Sequence, residues 1–348
     1  MNLSSNQRPG VYSQYDITSA YLSPRSGSYA AVVAEGNGGE TGKVHAITGM
    51  AQLTEAFGPD TGSATMRGCV QILLQAGVTR VYAVAVEGRD YAAALALAEE
   101  LDNVGAVVCD CADAAGLPAV KASALKSSAA LRERLAYVGL EDADEAVSAA
   151  QSLNCERVVL CCPAVAPAGL GASRAVFGAA ALAGRVLAQN DCTYSFSGEA
   201  LDTVQEPAKL TEAQVQALLA AGVTVLEAVG GAVECVRALT TSTKSGGETD
   251  YSLRGLNAIL CIDNVMQGIR AGLRASLRGI RLSTGSLQSI QSQVVVELAA
   301  KADSGVIEGF ETPKVYSDNA DPTVCVVELS FAVAHVVSQI HVTAHIQV

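Results

Sequence analysis

Two stretches, GAVVCDC (105–111) and CERVVLCCPA (155–164), carry the reading of the fold. Each is a short, continuously apolar run with polar neighbours, the pattern of a strand buried on both faces. Helical segments flank them: YAAALALAEEL (91–101) before the first, 121–137 and 142–152 between the two, and a small-residue helix at 173–188 after the second. Buried strands alternating with helices predict an α/β protein with a parallel sheet covered on both faces. Successive strand residues point to opposite faces, so Cys161 and Cys162 cannot form an ordinary metal pair. The ten cysteines read as buried thiols of a reducing cytoplasm.

Working outward, YAAVVAE (29–35) predicts a strand. A glycine-rich loop follows, then a short strand at 44–48, helices near 50–57 and 64–76, and a strand at 80–88. Residues 1–20 are polar, with a turn at Arg8-Pro9-Gly10, and read as an extended arm. Downstream, 211–221 predicts a helix with Thr211 as N-cap and Gly222 at its end. Two strands, 223–231 and 232–241, turn at Gly230-Gly231. Long helices at 256–281 and 284–302 and strands at 322–333 and 336–348 complete the chain. The expected organisation is a donor arm (1–20), a small α+β domain (21–90), a central α/β domain (91–238) and an α+β C-terminal domain (239–348).

The final ten residues, QIHVTAHIQV (339–348), alternate strictly. Ile340, Val342, Ala344, Ile346 and Val348 share one face, and Gln339, His341, Thr343, His345 and Gln347 the other. That is the period of a half-buried strand, either stitched into its own sheet or offered to a neighbour.

The totals narrow the function classes. The 348 residues are half apolar and carry a net charge of −12, with 4% aromatic residues and no Trp. No cationic excess exists to neutralise phosphates, so nucleic acid is not an expected partner. The polar first residues hold no secretory signal, and no apolar run approaches the roughly 18 residues of a membrane span. No cofactor or metal is expected. GNGGETGK (36–43) departs from a P-loop at Asn37 and Val44 and leads into a strand, not a helix. His341 and His345 have metalloprotease spacing, but on a strand they would lie roughly 13 Å apart, too far to share a metal. Ser173 lacks the strand and second glycine of a nucleophile elbow. Nothing in these patterns supports an enzyme.

One charged feature stands out. In 262–281, Ile262, Met266, Ile269, Leu273, Leu277 and Ile280 form an apolar stripe. Arg270, Arg274, Arg278 and Arg281 fall on an adjacent arc of about 80° at the helical period. Opposed only by Asp263, they give this segment a net charge of +3 in an acidic chain. The arc is either a solvated face paired within the subunit or a docking rail for an acidic partner.

The stretch LLAAGVTVLEAVGGAVECVRALTTSTKSGGETDYSLRGLNAILCIDNVMQGIRAGLR (218–274) resembles the tail sheath proteins of contractile phages, above all those of Gram-positive hosts and their phage-tail-like bacteriocins. RPGVY (8–12), LTEAFGPD (53–60) and GVTRVYAVAV (77–86) extend the resemblance over nearly the whole chain. The resemblance implies a structural subunit that polymerises as stacked hexameric rings around an inner tube and contracts to drive it through a target envelope. It also implies baseplate and tail terminator partners, assembly in the bacterial cytoplasm, and action in a released particle, whether a virion tail, a tailocin or another contractile injection system. Under it, Arg8, Pro9, Gly10, Val11 and Tyr12 belong to the N-terminal exchanged strand. Ile340, Val342, Ala344, Ile346 and Val348 belong to the C-terminal one. Arg270, Arg274, Arg278 and Arg281 are the tube-contact residues, with the 284–302 helix as rival. The competing readings are a soluble α/β enzyme or nucleotide-binding protein, and a non-contractile shell or surface-layer subunit.

Overall fold

The computed structural model describes residues 29–36, 39–58, 65–113, 116–169, 172–276, 283–319 and 324–334. The strand read at 29–35 is β1 (Tyr29–Ala34). It is followed by β2 (Val44–Ile47), α1 (Met50–Phe57), α2 (Thr65–Gln75) and β3 (Val81–Ala85). The alternating part runs α3 (Tyr91–Glu99), β4 (Val104–Cys109), α4 (Leu117–Ala129), β5 (Leu135–Gly139), α5 (Ala143–Leu153) and β6 (Val158–Cys162). Then come the two-residue β7 (Ala166–Pro167), α6 (Ala175–Ala188), the short β8 (Glu199–Ala200) and β9 (Val204–Gln205), and α7 (Glu212–Ala220). The expected hairpin is β10 (Thr224–Val229) and β11 (Ala232–Arg237).

Nine strands form one sheet in the order β2-β3-β1-β4-β5-β6-β10-β11-β8. The six from β3 to β10 are parallel; β2 and β11 run against them at the two sides, and β8, antiparallel to β11, runs with them at the edge. Every residue of β5 and β6 is buried, as a strand covered on both faces demands. Alternation divides β1 between two cores. Ala30, Val32 and Ala34 face α1, α2 and α6, while Ala31 and Val33 face α3, α4, α5 and α7. Cys161 and Cys162 fall in opposite cores, as the strand period requires.

Three readings are corrected. The helix expected over 121–137 ends at Ala129, and residues 135–139 are the strand β5 at the centre of the sheet. LRERLA has fair helical propensity, but the slot between β4 and β6 outweighs it. The chain reverses at Leu131, in the left-handed region at φ 61°. Arg134 is then buried, donating to the carbonyls of Ala98 (2.6 Å) and Leu101 (2.8 Å) at the end of α3. A cation there also complements the helix dipole. Secondly, the sheet does not break at the 90/91 boundary, because β1 lies between β3 and β4.

The third correction concerns the C-terminal region. After the small hairpin of β12 (Lys244–Ser245) and β13 (Glu248–Thr249), α8 spans Leu256–Ser276 and α9 spans Thr284–Asp303. The buried stripe of α8 follows the one read from the sequence only in part: Ile269 is buried, and Ile262 and Leu273 pack at the margins of the two cores. Leu256 and Ile259 belong to the core of the large sheet, whereas Cys261, Val265 and Ile269 join Val294, Leu298 and Ile307 in a separate core. Ile262 and Met266 are only half-buried. The stripe moves round the helix because α8 serves two cores in succession. The strand expected over 322–333 is interrupted at Leu329-Ser330. It joins β14 (Ile307–Phe310) and β15 (Lys314–Ser317) as β16 (Cys325–Glu328) and β17 (Phe331–Val333).

Local chemistry fixes several elements. Thr211 caps α7 in a capping box with Gln214, as its position suggested, and Gly222 follows at φ 83°. The amino end of α6 lies directly on β5, where a Cβ on Gly139 would come within 2.2 Å of the Ala175 backbone carbon. Gly139→Ala is therefore expected to lower stability by about 2–3 kcal/mol, read as a shifted denaturation midpoint with unchanged slope. Thr211→Ala should cost about 1 kcal/mol in the same measurement.

Candidate assembly surface

The four short strands after α9 form one bent antiparallel ribbon. Ile307 pairs with Val333 and Phe310 with Phe331 in one half; Lys314 pairs with Glu328 and Ser317 with Cys325 in the other. The Glu311 N–H donates to the Ser330 carbonyl (2.9 Å) and joins the halves, while the Asp318 N–H donates to the Val324 carbonyl (2.9 Å) near the tip. One face of the ribbon rests on the helices. Phe310, Val327, Leu329, Phe331 and Val333 pack against the core of α8 and α9, and Gln291 donates to the Pro313 carbonyl (2.7 Å).

This ribbon is incompletely covered. All of these five apolar side chains are only half-buried, and Tyr316 and Val324 are 43% exposed. Among the described residues each of its strands pairs with one other strand. A two-stranded sheet is marginal in water, and an open edge is a template for an added strand. Tyr12 and its neighbours Arg8, Pro9, Gly10 and Val11 lie outside the described residues. So do Ile340, Val342, Ala344, Ile346 and Val348, together with His341 and His345.

The arginine arc is divided. Arg270 is half-buried, and its Nη2 lies 2.6 Å from Glu133 Oε1 in the segment leading into β5. Glu133 is 8% exposed, so Arg270 belongs to an internal pair and not to a free rail. Asp263, read as the lone counter-charge of the helix, is instead bound by both Nη atoms of Arg157 at the start of β6. Arg274 is exposed; Arg278 and Arg281 lie outside the described residues. Gly268 and Gly272 let α9 approach. A Cβ on Gly272 would stand 2.7 Å from Glu297 Oε1, and one on Gly268 3.2 Å from Lys301 Cε. The first arm of the ribbon, 307–317, was not read from the sequence. Its only signals are two short runs bounded by Gly305 and Pro313.

A rival site lies at the carboxyl ends of the parallel strands, where chain order reverses between β1 and β4, the usual ligand position of doubly wound sheets. A crevice of about 580 Å³ there is lined by Glu35, Thr65, Tyr91, Asp110, Glu141 and Arg174, among others. Asp110 is its most enclosed charge, and burial raises its pKa. Its carboxylate accepts from the Glu35 N–H (2.9 Å), the Tyr91 hydroxyl (3.0 Å) and the Thr65 hydroxyl. It thereby ties β4 to the ends of β1, α2 and α3, and its donors come from the fold itself. Among the described residues no group of three or more His, Cys, Asp or Glu could hold a metal. No described helix is long and apolar enough to cross a membrane.

No family model and no curated protein matches the chain. Solved structures do. The sheath tail protein of Desulfitobacterium hafniense superimposes with a TM-score of 0.69 at 13% identity, covering 93% of this chain and 100% of that one. A chain of the six-fold symmetrised anti-feeding prophage baseplate gives 0.71 at 14% identity, covering 99% and 100%. The anti-feeding prophage helical sheath in its contracted state gives 0.71 at 15%, covering 98% and 99%. The large sheet, its two helical layers and the helix pair with its ribbon together make the fold of the contractile tail sheath proteins.

Proposed function

We propose that the chain is the repeating subunit of a contractile tail sheath. One observation carries the reading: sheath structures, one of them in a contracted polymer, match almost every residue of the chain at nearly their own full length. The six-fold symmetry of the anti-feeding prophage baseplate supports hexameric rings, stacked around an inner tube and closed by baseplate and terminator proteins. The subunits assemble in the bacterial cytoplasm and act in a released particle, whose work is mechanical and needs no catalytic centre.

The ribbon is the receiving element of this polymer. The alternating 339–348 segment and the 8–12 segment of neighbouring copies add strands to its edges. Each interchain backbone hydrogen bond contributes on the order of 1 kcal/mol. Val342, Ile346 and their neighbours cover the half-buried apolar row. Such links persist while subunits rotate, since the segments between arm and body take up the change in direction.

The tube contact falls to the free end of the basic helix. With Arg270 engaged by Glu133, the contact passes to Arg274, Arg278 and Arg281. Exposed charge pairs contribute about 1 kcal/mol or less each, which suits a contact that must release.

Deleting 340–348 should leave a folded subunit that forms no long tubes in negative-stain microscopy; abundant normal sheaths would remove the strand-exchange assignment. Arg274→Glu with Arg278→Glu should let sheath form but reduce its co-assembly with tube at least ten-fold. Co-sedimentation with tube at the native level would place the contact elsewhere, with the α9 helix next to be tested.

A further inference from the structure

The charged groups buried where α8 crosses the large sheet support an inference that holds for the single chain, whatever polymer it forms. Two ion pairs bind α8 to the amino ends of adjacent strands. At β6, Arg157 Nη2 donates to Asp263 Oδ1 (2.7 Å) while Nη1 donates to Oδ2. Ahead of β5, Glu133 receives Arg270 Nη2 at 2.6 Å, with Gln267 Nε2 nearby at 3.4 Å. The first pair is 10% and 14% exposed at its two side chains. A cavity of about 50 Å³, the size to hold a water, lies among Glu133, Arg134, Asp263 and Gln267.

Asp263 and Arg270 are seven residues apart. They therefore share a helix face and are separated by about 10 Å along the axis. Their partners come from the starts of two neighbouring strands. Apolar contact is non-directional: burying Leu256 and Ile259 in the sheet core sets how deep α8 sits, not which way it points. A bidentate, enclosed pair such as Arg157–Asp263 does fix direction, and the single-nitrogen contact of Arg270 with Glu133 adds a second point. Two anchors on one rigid rod determine its tilt and its rotation together. The far side of α8 is bound to α9 by Lys301 Nζ on Asn264 Oδ1 (2.6 Å), and α9 supports the ribbon, so the whole C-terminal unit follows the rod.

We propose that Arg157–Asp263 and Glu133–Arg270 form a two-point clasp that sets the angle of the α8–α9–ribbon unit against the large sheet. With the clasp closed the chain moves as one body. With its charges removed, α8 swivels on its first turns while both cores stay packed. The four side chains are positioning residues: they orient the ribbon and touch no partner.

The test is a distance distribution between two spin labels on the full chain. One label replaces Leu125 on α4 and the other Val296 on α9, which are 39% and 59% exposed. Cys325, the one cysteine that is not buried, is changed to Ser, and labelled chains are diluted in unlabelled ones. The native clasp should give a single narrow distribution. Glu133→Gln with Arg270→Gln should widen it, and adding Arg157→Met and Asp263→Leu should widen it at least two-fold. Circular dichroism should keep the native helix content throughout. A native width in the folded four-fold variant overturns the proposal, because apolar packing would then set the angle alone. If that variant fails to fold, the Glu133→Gln, Arg270→Gln pair decides, and an unchanged width there overturns it equally.

Discussion

The close seating of α6 is the constraint on which the architecture depends. Eleven of its fourteen residues are buried, from Ala175 to Val186, so it is apolar all round. It packs on the sheet beside α2, and glycines set the gap to each. Gly178 meets Leu226 of β10, Gly184 meets Ala76 just beyond α2, and Gly68 of α2 receives the Phe177 ring. A chain without Trp cannot fill wide gaps between layers with large side chains. It brings the layers together instead, and the close-packed interior that results is stiff.

That stiffness gives the C-terminal unit something to act against. The large sheet is covered by helices on both faces, whereas the apolar row of the ribbon is only half-buried and, among the described residues, each ribbon strand has a single partner. Order is unequally distributed: a finished body and an unfinished appendage share α8, which enters both cores. For a subunit that links to its neighbours, this is a physically sensible division. Connections suit the thinly covered ribbon, and force passes into a close-packed body.

Much of this could be read in the sequence. The buried strands at 105–111 and 155–164, the Gly230-Gly231 turn, the Thr211 cap and the opposed faces of Cys161 and Cys162 all follow from local periodicity and stereochemistry. The misreadings share a cause. Residues 135–139 become a strand because a slot between β4 and β6 needs one, and LRERLA carries no local trace of that slot. The sequence left Arg270 open between a face paired within the subunit and a docking rail, because helical period fixes angle around an axis but not what stands opposite. Its partner Glu133 is 137 residues away. The buried stripe of α8 changes azimuth along its length because two cores claim it, which a single-period reading cannot express. The ribbon's first arm was invisible because four-residue strands are too short to show a period.

The cysteines have a consequence for durability. Nine of the ten are buried; burial pushes the thiol of Cys111 up to about 11 and those of Cys162 and Cys235 up to about 12. Thiolate is the form that reacts with oxidants and attacks disulfides, so these groups are protected twice, by access and by protonation. Only Cys325, on the open ribbon, is partly accessible. The thiols of the body are therefore shielded from oxidation, and cysteine oxidation would begin at Cys325 on the ribbon.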